Sequence, residues 1–518
     1  MTPMENDFET QVSMETEMLP TADEPPFRAL LLGDYSGRAN MEKSMDASLP
    51  ESHPIEIDRD DYETVMKRLN VSLRLYLQED SDTPLILNFR ELDDFHPDRI
   101  FQQISLFSDL RDVRKRLLDS NTFERAAGEV RSWFVKTEEE DQKTATDVET
   151  VETDRKFETT GNLLDDVLGF AGKESSAAKP QTTQSLELSG FIQDLVEPHL
   201  IRTDEAEQER LLALVDESTS SLMRQILHHP EFQALEAAWR GLYLLVRKVE
   251  TNPELKLFVL DISKAELSQD LKSSDDLTKT NLYKILVSSA VQMQGGDPWT
   301  LACGDYEFSL NVDDVATLIR LAKISASATA PFVAQIKPQM LGIDSFAKTP
   351  DVSDWNVADE SNAGKLWTAL RTIPESGYLG LMAPRFLTRL PYGEKTEPTE
   401  VFVFEEFTGG SGHEKYLWAN SIYVCVLLLA QSFSKFGWEM RQNLFQDLDG
   451  LPVHLFNNEH GETKTKPCAE IEMTHRACDV LLEQGLMPLI SFRDTDRVRL
   501  ADFQSIAFPS KHLSGRWS

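Results

Sequence analysis

Composition changes abruptly at Glu138-Glu139-Glu140-Asp141, and this change limits what the chain can fold into more than any other feature. The residues that follow are acidic and threonine-rich, with almost no large apolar side chain before Phe157. Such a stretch cannot bury enough surface to offset the entropy of ordering it, so it reads as a solvated tether. An apolar island, Leu163-Leu164-Asp165-Asp166-Val167-Leu168-Gly169-Phe170, interrupts it, and a second loose stretch covers residues 173–185. Islands of this kind dock onto something. Leu163, Leu164, Val167, Leu168 and Phe170 are expected to pack as a short helix on their own domain or to reach another subunit. The chain then divides into a disordered acidic lead (1–26), a front region (27–136), the tether (137–187), a middle region (188–400) and a C-terminal region (401–518).

Charge excludes some partners. The chain has 518 residues, 87 of them acidic and 52 basic, for a net charge of −35, and no Lys/Arg cluster offers a local exception. A nucleic acid or an anionic membrane surface would be repelled. The hydrophobic share, 41%, is enough for real cores. Four irregularly spaced cysteines, Cys303, Cys425, Cys468 and Cys478, do not make a disulfide framework and are expected to be packed thiols in a reducing compartment. The polar, acidic residues 1–24 show no signal-peptide pattern, and the longest apolar run, residues 422–430, covers about half of a membrane span.

Strand and helix signals alternate along much of the chain. In the front region, residues 27–32, 54–58, 71–77 and 84–89 read as strands. Residues 97–135 turn helical, with Ile100, Ile104, Phe107, Leu110, Val113 and Leu117 on one face. A compact β-rich unit closed by helices is the expectation for residues 27–135. Gly33-Asp34-Tyr35-Ser36-Gly37-Arg38 reads as a tight structural turn, since the Gly-Lys-Ser/Thr ending of a phosphate loop is missing. Beyond the tether, Leu188, Phe191, Ile192, Leu195 and Val196 form one helical face. Two amphipathic helices then meet at Ile226-Leu227-His228-His229-Pro230-Glu231-Phe232. Residues 255–262 predict a strand, 264–271 and 281–293 helices, 299–302 a strand broken by Gly304-Asp305-Tyr306, and 312–329 a long helix. Between residues 331 and 398 proline and glycine are dense, and residues 367–372 are one expected helix. Residues 417–436 predict an apolar helix, 468–473 a strand, 474–484 a helix capped by Thr474, and 487–492 a closing strand. The fold class is therefore α/β, with mixed sheets flanked by helices.

No pattern of catalytic residues emerges. His228 and His229 point about 100° apart on a helix and cannot grip one ion together. His413-Glu414 lacks the second histidine of a zinc-protease motif, because Leu417 stands there. Ser411 sits between glycines but outside a Gly-x-Ser-x-Gly elbow. His454, Glu459, His460 and Glu462 share a turn-rich loop that reads either as a metal site or as a polar turn between strands. Glu405-Glu406, Asp93-Asp94, Asp305 and Glu307 cannot be told from solvated acids without a cleft. No cofactor or metal is expected.

Several stretches, in order, resemble the large contractile-sheath subunit (TssC) family of the bacterial type VI secretion system. They are residues 226–242; Gly304-Asp305-Tyr306-Glu307-Phe308; Pro384-Arg385-Phe386-Leu387 with Leu390-Pro391-Tyr392-Gly393; Phe404-Glu405-Glu406-Phe407; Tyr416-Leu417-Trp418-Ala419-Asn420; and Pro467-Cys468-Ala469-Glu470 with Phe503-Gln504-Ser505-Ile506-Ala507. Residues 27–38 and 87–98 resemble instead the small sheath subunit (TssB). The chain thus looks like a small–large fusion joined by the tether.

The resemblance implies a fold similar to phage tail sheath proteins and a structural, non-enzymatic role in the bacterial cytoplasm, without membrane insertion. Such a protomer polymerises into a helical sheath around an inner tube of Hcp rings, on baseplate components, and exports effectors by contraction. It implies, as further partners, separate small and large sheath subunits and a Clp-type AAA+ ATPase that recognises a helix; Phe191, Ile192, Leu195 and Val196 match that helix. The apolar island would serve as an arm that interlocks protomers. A non-contracting scaffold or baseplate adaptor on the same fold, or a hydrolase using His454, His460 or Ser411, are the alternative readings.

Overall fold

Strand β1 (Phe27–Gly33) lies at the centre of the molecule, and its sequence explains why. Phe27, Ala29 and Leu31 face one core while Leu30 and Leu32 face another, all of them fully buried. A strand apolar on both faces needs cover on both, as in the parallel sheets of α/β proteins. The computed structural model describes residues 24–41, 53–77, 83–135, 207–292, 296–356, 361–408, 412–457 and 461–517.

After β1 the front region continues with β2 (Ile55–Ile57), α1 (Tyr62–Leu69), β3 (Val71–Leu75), β4 (Leu85–Phe89), α2 (Pro97–Gln103), α3 (Ser105–Leu118) and α4 (Phe123–Val135). The rest comprises α5 (Glu207–Leu227), α6 (Pro230–Lys248), β5 (Leu255–Asp261), α7 (Lys264–Lys272), β6 (Leu301–Phe308), α8 (Val312–Ala328), β7 (Phe332–Ile336), α9 (Asn362–Thr372), β8 (Leu379–Ala383), β9 (Phe386–Leu387) and β10 (Trp418–Ala419). It ends with α10 (Ile422–Phe436), β11 (Asp447–Leu448), β12 (His454–Asn457), β13 (Thr463–Lys466), α11 (His475–Glu483), β14 (Leu486–Ser491) and β15 (Val498–Leu500).

One nine-stranded sheet, in the order β11-β15-β14-β8-β7-β6-β1-β5-β2, organises these elements. From β5 to β14 neighbouring strands are parallel; β2 at one edge and β15 and β11 at the other are antiparallel. One face is covered by α5, α6, α10 and the front helices, the other by α7, α8 and α11. Helix α10 is buried at every position from Ile422 to Ala430, as expected of a helix that is apolar all round.

The front region does not close on itself. Among the described residues only β3 and β4 pair within it, whereas β1 is hydrogen-bonded in parallel to β5 on one side and β6 on the other, and β2 pairs with β5. Most of its buried residues, among them Ile100, Phe107, Leu110 and Leu117, belong to the same core as Leu222, Trp239 and Tyr423, and Leu30 and Leu32 join the core on the other face.

Other expectations are corrected in detail. Strand β6 runs unbroken through Gly304-Asp305-Tyr306, with a register irregularity between Cys303 and Glu307 absorbing the interruption. The punctuated stretch 331–398 holds strands β7, β8 and the two-residue β9; β7 and β8 are each buried at all five positions and too short to show a period between their turns. The apolar helix begins at Ile422 rather than 417, because Trp418 and Ala419 pair with β9 as strand β10. Residues 281–293 form a short helix, Asn281–Tyr283, that continues as a π-helix, Lys284–Gln292, whose Ile285 carbonyl accepts the Trp299 indole N–H at 3.0 Å. Residues 468–473 make a single bridge, Ala469 to Phe386, instead of a strand. Strand β14 is not the last, since β15 pairs with it. Residues 1–23 of the acidic lead, the tether, its island and the helical face from Leu188 to Val196 lie outside the described residues.

Candidate functional site

Helices α5 and α6 meet at the paired histidines. Pro230 opens α6, and the His229 ring accepts the Glu231 N–H at 3.3 Å, which caps the helix. From there α6 buries Phe232, Leu235, Trp239, Leu242 and Leu245, and on the same face a fully buried carboxylate, Glu236. An isolated buried charge is not tolerated. Its compensation comes from Arg240 one turn later, Nε to Oε1 at 2.7 Å, and from Arg389, Nε to Oε1 at 2.8 Å.

Arg389 is itself buried and divides its guanidinium between two acids. It donates from Nη1 to Glu406 at 2.8 Å and from Nη2 to Glu236 at 3.3 Å and Glu406 at 3.2 Å. Glu406 also accepts the Tyr392 N–H at 2.8 Å, and His228 Nε2 stands 3.4 Å away. The ring closes where Arg240 donates to the Tyr392 hydroxyl at 3.1 Å and the Arg389 guanidinium lies 4.4 Å from the centre of the Tyr392 ring. Two carboxylates and two guanidiniums balance. Burial alone would raise the Glu406 carboxyl, but Arg389, with His228 and the Tyr392 N–H, holds it down at about 2.

A second network lies alongside. Glu470 accepts the Arg385 backbone N–H at 2.9 Å and its guanidinium at 2.6 and 3.0 Å. His413 Nε2 is 3.6 Å from Glu470, and Lys466 approaches His413 Nδ1 at 3.0 Å. Burial works against the Glu470 charge, yet Arg385 keeps this carboxyl at about 2. Burial lowers the Lys466 ammonium to about 8 against the pull of Glu470 and Glu414. Tyr416 is hydrogen-bonded to His454 at 2.7 Å, and burial depresses that imidazole.

The third network joins the front region to the rest. Asp34 accepts the Arg38 and Ala39 N–H groups at 2.6 and 2.9 Å, which fixes the turn after β1. At Gly37, φ is +74° and a Cβ would stand 2.2 Å from the Ser72 carbonyl oxygen, so only glycine fits. Across the seam Asp261 accepts the N–H groups of Tyr35 and Ser36 at 2.9 and 3.0 Å and the Ser36 hydroxyl at 2.7 Å. Arg38 donates to Glu266 at 2.8 Å, the Trp239 indole to the Tyr35 carbonyl at 2.8 Å, and the Tyr62 hydroxyl to the Trp239 carbonyl at 2.7 Å. On β6 Asp305 accepts the Tyr423 hydroxyl at 2.8 Å. Burial raises Asp261 and Asp305 to about 6 despite these donors. A cavity of about 690 Å³ opens on the seam, with Asp34, Gly37 and Asn40 on one wall and Asp305, Arg385 and Trp418 on another.

The residues weighed from sequence as catalytic or metal-binding are engaged elsewhere or lie outside the described residues. His228 sits beside Glu406, His229 caps α6, and His454 is held by Tyr416. Ser411, Glu459 and His460 lie outside the described residues. So do the partner-binding candidates Leu163, Leu164, Val167, Leu168, Phe170, Phe191, Ile192, Leu195 and Val196. Among the described residues no group of three or more His, Cys, Asp or Glu is placed to hold a metal. None of the described helices is long and apolar enough to cross a membrane. Sequence reasoning missed the networks. One signal was available: Glu236 falls on the apolar stripe of α6, where a charge requires a buried partner.

Residues 209–507 match the family model described as EvpB/VC_A0108, tail sheath N-terminal domain. The chain belongs to this tail sheath family. Residues 10–131 match a second model, described as type VI secretion system, VipA, VC_A0107 or Hcp2. A curated relative, the type VI secretion system sheath protein TssC1 of Pseudomonas aeruginosa, is 37% identical over 309 residues, which cover 59% of this chain and 62% of the relative. The chain therefore spans under two thirds of that relative's length. The matched range 209–507 of this tail sheath chain contains Glu236, Arg240, Arg385, Tyr392, Glu406 and Glu470.

Proposed function

We propose that the chain is a structural sheath protomer of a contractile type VI secretion apparatus in the bacterial cytoplasm, acting by assembly and not by catalysis. One observation carries this reading: side chains of the stretches that resemble the family are turned inward onto each other, in ion-pair networks built on the buried carboxylates Glu236, Glu406 and Glu470, and these hold the protomer in one shape. Such networks suit a block that must keep its form in a lattice, where head-to-tail contacts propagate helically. Copies would polymerise around an inner tube of Hcp rings from a baseplate, and the energy for contraction would reside in the assembled lattice. Leu163, Leu164, Val167, Leu168 and Phe170 would form the arm that interlocks adjacent protomers. Phe191, Ile192, Leu195 and Val196 would present the face that a Clp-type AAA+ ATPase recognises. The test is electron microscopy of the full chain co-expressed with its inner-tube protein. Helical tubes in a long and a shortened form support the proposal; a monodisperse monomer under all assembly conditions sinks it.

A further inference from the structure

The seam between the front region and the rest has the properties of a filled slot. All seven residues of β1 pair with β5, Phe27 with Leu255 through Gly33 with Asp261, and Ala29 to Leu32 pair at the same time with Leu301 to Gly304 on β6. Both hydrogen-bonding edges of the strand are used, and both its faces are buried. Around it the front region grips the rest at separate places. Phe89 and Phe95 pack edge-on against Phe232, at 6.0 and 5.7 Å between ring centres. Asp98 accepts the N–H groups of Glu400 and Val401 at 2.8 and 3.1 Å. Arg114 donates twice to Asp216, at 2.5 and 3.1 Å.

The covalent connection between the two parts is far longer than the gap it bridges. Arg131 in α4 and Glu207, the first residue of α5, form an ion pair, so the chain leaves and returns at neighbouring points although residues 136–206 intervene. A linker this long would also let a front region insert into another copy, so chain connectivity alone does not decide the pairing.

We infer that each chain fills its own slot: residues 24–135 act as a built-in subunit that closes in cis, cannot be exchanged, and leaves no position for a separate small sheath subunit. Two physical arguments support this. A tethered segment competes at an effective concentration of about millimolar, some thousandfold above a free partner at micromolar concentration. Once seated, β1 can leave only if the sheet parts between β5 and β6 and the shared core opens, so exchange is as slow as global unfolding, on the order of hours to days for a stable domain. The slot is selective as well, since it accepts only a parallel strand that is apolar on both faces and followed by a turn whose N–H groups reach Asp261.

The experiment uses the full chain with a specific protease site inserted between residues 136 and 206. Protein of natural isotopic abundance and ¹⁵N-labelled protein are purified separately, cut, mixed, and followed by native mass spectrometry on the soluble protomer fraction. The expected result is a monomer before cutting and a one-to-one complex of both pieces after it. Hybrid masses should stay below about a tenth of the total for tens of minutes after mixing and then grow no faster than global unfolding, over hours to days. A dimer that falls to half its mass on cutting would show swapping, hybrids at statistical proportion within minutes would show free exchange, and loss of the front piece would show that the linker holds it; each overturns the inference. The readout is independent of tube formation, so failure here and failure of the sheath proposal are distinguishable.

Discussion

Arg389 serves two buried carboxylates at once, and this sets what its replacement does. Exchanging a whole buried ion network for apolar or neutral groups is often harmless, but removing one member leaves uncompensated charge and costs about 3–5 kcal/mol. Arg389→Met is therefore expected to lower the guanidinium midpoint by an amount equivalent to about 3–5 kcal/mol at neutral pH. Adding Glu406→Gln, which leaves Glu236 paired with Arg240, should restore most of the loss; a double variant no better than the single one would contradict the charge balance of the network. The acids of the seam make a second prediction. Asp261 and Asp305 stand at about 6 in the fold, above their ordinary 3.8, so their contribution to stability declines as pH rises from 3.8 to about 6 and is gone above that. Glu406 and Glu470 stand at about 2, below their ordinary 4.5, so their contribution is complete above 4.5 and declines as pH falls toward 2. The melting temperature should thus rise between about pH 7 and 5 and fall below about pH 4. Asp305→Asn should remove part of the rise, and a melting temperature that falls steadily from pH 7 to 5 would contradict the assignment.

At the scale of elements, helices α6 and α10 approach as closely as they do because Gly241 has no side chain. A Cβ there would lie 2.4 Å from the Tyr423 ring, and Tyr423 is tied to Asp305 on β6 and stands 3.4 Å from the Tyr35 hydroxyl. Gly241→Ala is expected to destabilise by about 1–3 kcal/mol through overpacking, although alanine favours helix. Thermal unfolding would measure it, and a stabilised variant would mean that the helices part freely. The same elements show what sequence could reveal. The α5–α6 corner, the cap by Thr474 and the buried stripe from Ile100 to Leu117 were legible because caps and helical periods are local signals. That β1 is a strand was legible too; that it pairs with Leu255 and Leu301 was not, because register across more than two hundred residues leaves no trace in either segment. Strands β7 and β8 escaped for a related reason, as five buried residues between turns show no alternation. Glu406 and Glu405 look identical in sequence, and only the tertiary position of Arg389 makes one a buried ion and leaves the other on the surface.

For the whole molecule, the central fact is that two stretches with separate family likenesses share one sheet and the cores on both of its faces. The two stretches meet at the start and end of the intervening residues, where Arg131 of α4 pairs with Glu207 of α5. Doubled back and fully extended, the residues between 136 and 206 would reach up to about 115 Å. A folded body of roughly 400 residues has a diameter on the order of 50 Å. The reach is therefore ample for contact with an adjacent protomer, and the apolar island is one part of the stretch with surface to bury there. Deleting residues 154–170 should accordingly leave a soluble protomer with an unchanged melting temperature that forms no tubes under electron microscopy. The comparison between the two measurements decides the matter: ordinary tubes from the deletion would sink the interlocking arm, whereas a lowered melting temperature would place the island's contacts inside its own protomer. If the arm also stays engaged while the lattice shortens, tubes of the full chain should contract without shedding subunits, because an extensible link tolerates the change in spacing that rigid contacts do not.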